Sequence, residues 1–205
     1  EWLCGRATNQ SLADHLPPRP SDDINHLTPD MLTPRPPAGH NATVTASTER
    51  KILDLLALTG MTDAHPVTTP IALRAEKHLD YDVDRTTEEQ ARVQAYEDRL
   101  HYASTVSSLA YIARVARPDI LFVTNLLARF FRDPPLAAYH ILERTLRYLK
   151  GTPTLGITYT QDDNSPPVLY ADSSNHDDHT TCRSTLGYCV LWKGAAIAYY
   201  SHLSD

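Results

Sequence analysis

Apolar positions recur every three to four residues along two stretches of the chain, and this spacing predicts helices in both. The first stretch, TERKILDLLALTG, is a short helix with Thr48 as its N-cap and Gly60 as its stop. The second stretch, residues 102–150, predicts three helices that pack through their apolar faces. The middle of the chain is therefore expected to form a small helical bundle.

The last helix of this bundle has recognisable residues at both ends. Asp133 is the expected N-cap, Pro134 occupies the first helical position, and Gly151 follows the last one. Four apolar residues then share the inward face: Ala138, Leu142, Leu146 and Leu149.

After Gly151 the spacing shortens to short apolar runs typical of strands. Four such runs follow one another: LGITYT, PVLYAD, STLGYCVLWKG and AAIAYYS. The last two are close enough to form a hairpin over Lys193 and Gly194. They predict one antiparallel sheet, whose last strand lacks a covering helix and is expected to be exposed.

The remaining segments show no sustained periodicity. Residues 1–48 hold seven of the fifteen prolines, so this segment is expected to be disordered or extended. The stretch EKHLDYDVDRTTEEQ reads as a polar loop. Its Asp80, Asp82 and Asp84 alternate like calcium ligands but lack the Gly and Glu of an EF-hand, so a solvated acidic loop is favoured.

The predicted fold class is α+β, with a Pro-rich irregular N-terminus, a small helical bundle and an incomplete antiparallel sheet. The expected segments are residues 1–48, 49–101, 102–152 and 153–205.

Charge changes this picture only in the middle of the chain. The net charge is −6, yet residues 91–160 carry 9 basic and 5 acidic side chains, a net +4 that favours phosphate binding. Arg144, Arg147 and Lys150 lie near the end of the last helix. They form either a phosphate-binding face or a solvated face on which Glu143 pairs with Arg147.

Three cysteines without a Cys-x-x-Cys pair predict reduced thiols and an intracellular protein, with cytoplasm and nucleus not distinguished. No apolar run reaches the roughly 20 residues that span a bilayer, so no membrane association is expected. The chain begins at Glu1 without Met, which suggests a fragment.

Three groups of motifs occur in a characteristic order: LLALTGMTDAHPVTTPI, then ARPDI with RYLKGT and LGITY, then LYADSSN with STLGY. This order resembles the Pol polyprotein of copia-type long-terminal-repeat retrotransposons over residues 50–202. The first group resembles the end of reverse transcriptase, the second the connection region, and the third the opening of ribonuclease H. Residues 1–48 match nothing in that family.

The resemblance implies that Asp172 is the first catalytic carboxylate of ribonuclease H and a Mg²⁺ ligand in an intact relative. The family usually has Asp-Ala-Asp-Trp here, whereas Ser173 and Ser174 follow Asp172. The other carboxylates of both active sites are missing from the chain, so no bound ion is expected. The next residues that could bind a metal are in one hairpin loop: His176, Asp177, Asp178 and His179.

The resemblance therefore implies a fragment of a polymerase and ribonuclease H polyprotein that acts on RNA/DNA hybrids, inactive as given. Its expected partners are an RNA/DNA hybrid, bound weakly, and the remainder of the polyprotein. The alternative is a non-catalytic module in which helices 102–150 bind nucleic acid or protein.

Overall fold

The computed structural model describes residues 43–79, 85–160, 166–174 and 183–204. Within these ranges the chain forms helices and two antiparallel sheets, so the α+β class is confirmed. The helices are α1 Glu49–Leu58, α2 Thr87–Leu100, α3 Tyr102–Ala116, α4 Leu121–Ala128 and α5 Leu136–Gly151, with 3-10 turns at Ala75–His78 and Pro118–Ile120. The strands are β1 Thr43–Ala46, β2 Ile157–Thr160, β3 Val168–Ser173, β4 Thr185–Trp192 and β5 Ala195–Leu203.

The main core lies between the helices. All four residues predicted to face inward on α5 are buried, which confirms the helical period of that segment. Each fully buried leucine contributes about 1.5–3 kcal/mol relative to an exposed one, so this face contributes substantially to bundle stability. The core also includes apolar side chains from α1, α3 and α4: Ile52, Leu56, Val106, Leu109, Ile112, Val123 and Leu127.

Helix α2 was not predicted, because its first residues were assigned to a polar loop. Almost all of its side chains are at least partly exposed, and its apolar stripe is too weak to be read as helical. A capping box starts it instead: Glu89 N donates to Thr86 Oγ1 over 3.3 Å, and Thr86 N donates to Glu89 Oε2 over 3.0 Å. The spacing of Thr86 and Glu89 was the available sequence signal.

The predicted start of α5 was wrong. The helix begins at Leu136 with Pro135 as N-cap, whereas Asp133 Oδ1 lies 2.6 Å from Arg85 Nη2. A residue that precedes proline is sterically disfavoured from helical geometry, and Pro134 precedes Pro135. At the other end, Gly151 is the last helical residue rather than the first one beyond it.

The ends of α1 agree in part with the sequence. Thr48 occupies the N-cap position, but its side chain makes no capping hydrogen bond, and Glu49 N donates to Ser47 Oγ over 3.2 Å. Gly60 has a φ of +66°, the left-handed geometry typical of a residue that ends a helix.

The strands form two sheets rather than one. Strand β1 pairs with β2, from Thr43 opposite Thr160 to Ala46 opposite Ile157, and β1 lies in the segment predicted to be disordered or extended. Gly156 allows this approach, because a Cβ atom there would lie 2.2 Å from the Ala46 carbonyl oxygen. Of the two expectations, disordered or extended, these four residues follow the extended one, and residues 1–42 lie outside the described part.

The second sheet has the order β3-β4-β5. The predicted hairpin between β4 and β5 is confirmed, with Lys193 at φ +51° and Gly194 at φ +76°, as a tight two-residue turn requires. Strand β5 was expected to be uncovered, and this prediction was wrong. Ala195 and Ala196 are buried, and the strand contacts the helices. The helical bundle takes the place of the covering helix that the prediction found missing.

Candidate functional site

A buried arginine joins the end of α3 to the end of α5. The side chain of Arg117 has 0% exposure, and its Nε donates to Asp119 Oδ1 over 3.0 Å while Nη2 donates to Asp119 Oδ2 over 2.8 Å. The same guanidinium donates from Nη1 to the Thr152 carbonyl over 2.7 Å and from Nη2 to Thr152 Oγ1 over 2.8 Å. The charge is thus buried with a partner and with several donors satisfied, which the cost of desolvation requires.

Tyr148 completes this group. Its hydroxyl donates to Asp119 Oδ2 over 2.7 Å, and the Arg117 guanidinium carbon lies 5.3 Å from the centre of its ring. Burial alone would raise the pKa of Asp119, but the hydrogen bonds from Arg117 and Tyr148 outweigh it, so that pKa lies below its usual range. We call these four residues, Arg117, Asp119, Tyr148 and Thr152, the Arg117 cluster.

The Arg117 cluster brings together two motifs that are separate in sequence. Arg117 and Asp119 belong to ARPDI, and Tyr148 and Thr152 belong to RYLKGT. No role for these side chains was predicted from the sequence. The signal was the Arg-Pro-Asp spacing, in which an arginine and an acid two residues apart flank a helix-starting proline.

The three predicted cations on α5 lie beside an extended segment of the chain. Arg144 Nη2 donates to Thr69 Oγ1 over 2.8 Å, and Arg147 Nε donates to the His65 carbonyl over 2.7 Å. Lys150 is half-buried at the end of the helix. Two of the three cations thus stabilise residues 65–69 against α5, and their proposed contact with phosphate stays a prediction.

The alternative pairing on this face was wrong. Glu143 Oε2 lies 3.1 Å from Arg99 Nη2 rather than pairing with Arg147. Because Arg99 is on α2, Glu143 joins α5 to α2. The guanidinium carbon of Arg99 also lies 5.2 Å from the centre of the Tyr96 ring.

Asp172 lies near the end of β3, opposite Gly187 of β4. Its side chain is exposed, and Oδ1 accepts a hydrogen bond from the Ser173 amide over 2.9 Å. Within the described ranges, no three His, Cys, Asp or Glu side chains are grouped so that they could hold a metal ion. The loop residues 176–179 and the acidic residues 80, 82 and 84 lie outside those ranges.

Hydrogen bonds of two side chains, Tyr199 and Asn125, connect the bundle to the sheet, and the sequence did not indicate them. The Tyr199 hydroxyl of β5 lies 3.0 Å from the Ala113 carbonyl oxygen and 2.6 Å from that of Arg114. Asn125 Nδ2 of α4 donates to the Ser201 carbonyl over 2.6 Å. The sheet that carries Asp172 is therefore held directly against α3 and α4.

No helix in the described part of the chain is both long and apolar enough to cross a membrane.

Comparison with known proteins relates the chain to transposon polyproteins. It is 38% identical over 144 residues to the retrovirus-related Pol polyprotein from transposon RE1 of Arabidopsis thaliana, which is 70% of this chain and 9% of that protein. It is 30% identical over 161 residues to the retrovirus-related Pol polyprotein from transposon TNT 1-94 of Nicotiana tabacum, covering 77% of this chain and 11% of that protein. The chain thus spans about a tenth of the length of these polyproteins.

A shorter relative has a different name. The chain is 33% identical over 100 residues to the secreted RxLR effector protein 161 of Plasmopara viticola, covering 49% of this chain and 70% of that protein. No protein-family model and no solved structure matches the chain.

Proposed function

The chain belongs to the copia-type retrotransposon Pol polyproteins, and we propose that it forms the connection between reverse transcriptase and ribonuclease H. In this proposal, α3–α5 are the connection bundle and β3–β5 are the first strands of the ribonuclease H sheet. The bundle holds an RNA/DNA hybrid, and the remainder of the polyprotein supplies the polymerase site and the other ligands of the ribonuclease H site.

The proposal rests on one observation above the others, the Arg117 cluster. Two hydrogen bonds from the buried Arg117 side chain to Thr152, together with the hydrogen bond from the Tyr148 hydroxyl to Asp119, join the two connection motifs, ARPDI and RYLKGT. A buried charge held this way gives the ends of α3 and α5 a defined mutual position, since moving either end leaves charged groups without partners. A rigid unit of this kind suits a segment that must keep two active sites in register on one substrate.

The basic face of α5 supports contact with the hybrid. The hydrogen bond to His65 uses one of the five N–H donors of Arg147, so the engagement of this side chain with the extended segment is compatible with binding phosphate. Arginine guanidinium groups suit the geometry of phosphate, and such contacts position a nucleic acid without reading its sequence.

The described residues do not by themselves fit a two-metal site. Mg²⁺ prefers carboxylate oxygens, and Asp172 offers them on an exposed edge strand, but a pair of ions needs several carboxylates from different elements. We therefore propose that the chain as given contributes one ligand to the site of an intact polyprotein and does not hydrolyse RNA alone.

The test is binding of a fluorescently labelled RNA/DNA hybrid, followed by anisotropy over a range of salt concentrations. If the three cations neutralise two or three phosphates, the log-log salt slope is about −2 to −3. Replacing Arg144, Arg147 and Lys150 together by Gln is expected to weaken binding and to flatten this slope.

The matched control removes the same charge elsewhere, with Lys51, Arg74 and Arg92 replaced by Gln, and circular dichroism establishes that both variants are folded. Equal loss in the two variants would mean that binding is not localised on α5. Unchanged binding in the α5 variant would exclude these residues.

A second candidate is a non-catalytic module in which helices 102–150 bind nucleic acid or a protein partner. It is favoured by the similarity to a shorter protein named as a secreted effector, most of whose length is covered by the match. A chain that binds no hybrid but retains a folded bundle would favour this second function over the first.

A further inference from the structure

Tyr199 caps the C-terminus of α3 from another part of the chain. The last carbonyl groups of a helix have no partner within it, and α3 ends at Ala116. The Tyr199 hydroxyl reaches two of these groups, on Ala113 and Arg114. Burial raises the pKa of Tyr199 well above its usual range, so the hydroxyl remains a proton donor at any physiological pH.

Asn125 of α4 makes a second connection to β5, at Ser201, two residues beyond Tyr199. Its side-chain amide donates to the backbone carbonyl of Ser201, so α4 is bonded to the strand itself rather than to a flexible side chain. A single contact would let β5 rotate about it. Two contacts, from α3 and α4, restrict both the position and the rotation of the strand.

The position of Asp172 relative to β5 follows from the register of both strands with β4. Ser201 of β5 is opposite Gly187 of β4, and Gly187 is opposite Asp172 of β3. Directly opposite residues of antiparallel strands share a face, and strands lie about 4.8 Å apart, so Asp172 is roughly 10 Å from Ser201 on the same side of the sheet. Tyr199 lies on that side as well, two residues before Ser201, so Asp172 lies on the face of the sheet that contacts the bundle.

Gly187 lies between Asp172 and Ser201 in the sheet and has no side chain. An added Cβ atom would lie 3.6 Å from the Tyr200 carbonyl oxygen, which is ordinary contact distance, so packing does not demand glycine there. Its effect is to leave the surface between Asp172 and Ser201 open.

We propose that Tyr199 and Asn125 are positioning residues that hold the Asp172 carboxylate at a set distance and orientation from the basic face of α5. This inference rests on the proposed function for its purpose, because a connection unit must place a carboxylate of the nuclease relative to the hybrid that the bundle holds. The geometric part is independent of that function and can be tested alone.

The experiment measures the distance between two spin labels by pulsed electron resonance on the full chain. Labels are attached to His140→Cys on exposed α5 and to Leu169→Cys on exposed β3, in a background with Cys4, Cys182 and Cys189 replaced by Ser. The otherwise unchanged chain is expected to give one narrow distance. The double variant Tyr199→Phe and Asn125→Ala is expected to lose it and to give a broad distribution.

Two controls separate positioning from simple loss of stability. Tyr170→Phe removes a hydroxyl from an exposed tyrosine of the same sheet and is expected to leave the distance narrow. Ile52→Val lowers the stability of the bundle at a buried site away from β5. It should also leave the distance narrow, because a loss of stability reduces the number of folded molecules and does not change the geometry of those that remain folded.

A narrow, unchanged distance in the folded double variant would overturn the inference. So would an equally broad distribution in the Ile52→Val control. Anisotropy with the labelled hybrid, measured on the same samples, keeps the two proposals apart: absent binding in every sample contradicts the proposed function, while the distance result still decides the role of Tyr199 and Asn125.

Discussion

The guanidinium of Arg117 and the carboxylate of Asp119 form a two-pronged ion pair, with Nε 3.0 Å from Oδ1 and Nη2 2.8 Å from Oδ2. The two residues are separated only by Pro118, whose fixed φ starts the 3-10 turn and directs both side chains to the same side. The pair is local, but its other partners, Tyr148 and Thr152, come from the end of α5. A local pair thereby binds the end of a distant helix.

Removing the arginine should therefore be costly. Arg117→Met keeps most of the buried volume but leaves Asp119 partly buried without its cation and leaves Thr152 without a donor. We expect a loss of about 3 kcal/mol in the free energy of unfolding, the lower end for a broken buried pair because Asp119 is partly exposed.

Denaturant unfolding monitored by circular dichroism measures this loss. The matched control is Arg92→Met, which breaks an exposed pair with Glu88 on α2 and should cost less than about 1 kcal/mol. Similar losses in the two variants would contradict a special role for the Arg117 cluster.

The lowered pKa of Asp119 predicts a stability change in acid. A carboxyl group with a lower pKa in the folded state stabilises that state above its unfolded pKa of about 3.9, and this contribution is lost as the pH falls through the folded value. The difference in unfolding free energy between the original chain and Asp119→Asn should thus be largest near neutral pH and shrink below about pH 4. Measurements between pH 2.5 and 7 would detect it, and a difference that is constant with pH would exclude the titration of Asp119 as its cause.

The pairing of β1 with β2 depends on the absence of a side chain at Gly156. Gly156→Ala places a Cβ atom 2.2 Å from the backbone oxygen of Ala46, which strand backbones cannot accommodate without separating. We expect the amides of Thr43–Ala46 to exchange with solvent much faster in this variant, as measured by hydrogen exchange. Gly187→Ala is the control, because its Cβ would meet its nearest atom at 3.6 Å, and protection of β1 that survives Gly156→Ala would show that the strand does not need this contact.

Hydrolysis of RNA tests the contribution of Asp172. A two-metal site holds its ions about 4 Å apart and needs several carboxylates to offset their repulsion, so one exposed aspartate is insufficient. We expect no cleavage of a labelled RNA/DNA hybrid by the purified chain in Mg²⁺ or Mn²⁺. Cleavage that disappears in Asp172→Asn would show that a working site forms from ligands not identified, and cleavage that persists would point to a contaminating nuclease.

The helical elements with strong patterns could be predicted from the sequence alone. The inward face of α5, the stop of α1 at Gly60 and the hairpin at Lys193 and Gly194 all follow from interactions between residues a few positions apart. The spacing of apolar residues and the backbone freedom of glycine act over that range, so they are legible in the sequence. The same holds for the motif order that identified the family.

The missed start of α2 and the misplaced start of α5 concern local signals, but the other differences fall where a residue's partner is distant in sequence. Strand β1 has neither strong alternation nor length, and it is a strand because β2, more than a hundred residues later, offers it a backbone edge beside a glycine. Arg144 and Arg147 read as a free basic face, yet an extended segment some 75 to 82 residues earlier takes their hydrogen bonds. Strand β5 read as uncovered, yet Asn125 and Tyr199 connect it to helices that precede it by 76 to 86 residues. Sequence alone thus determined the strongly patterned helices and strands, because their spacing and turn residues act locally. The tertiary structure decided that β1 is a strand and which polar groups meet, because a buried donor or acceptor takes whichever partner the packing of distant elements brings within reach.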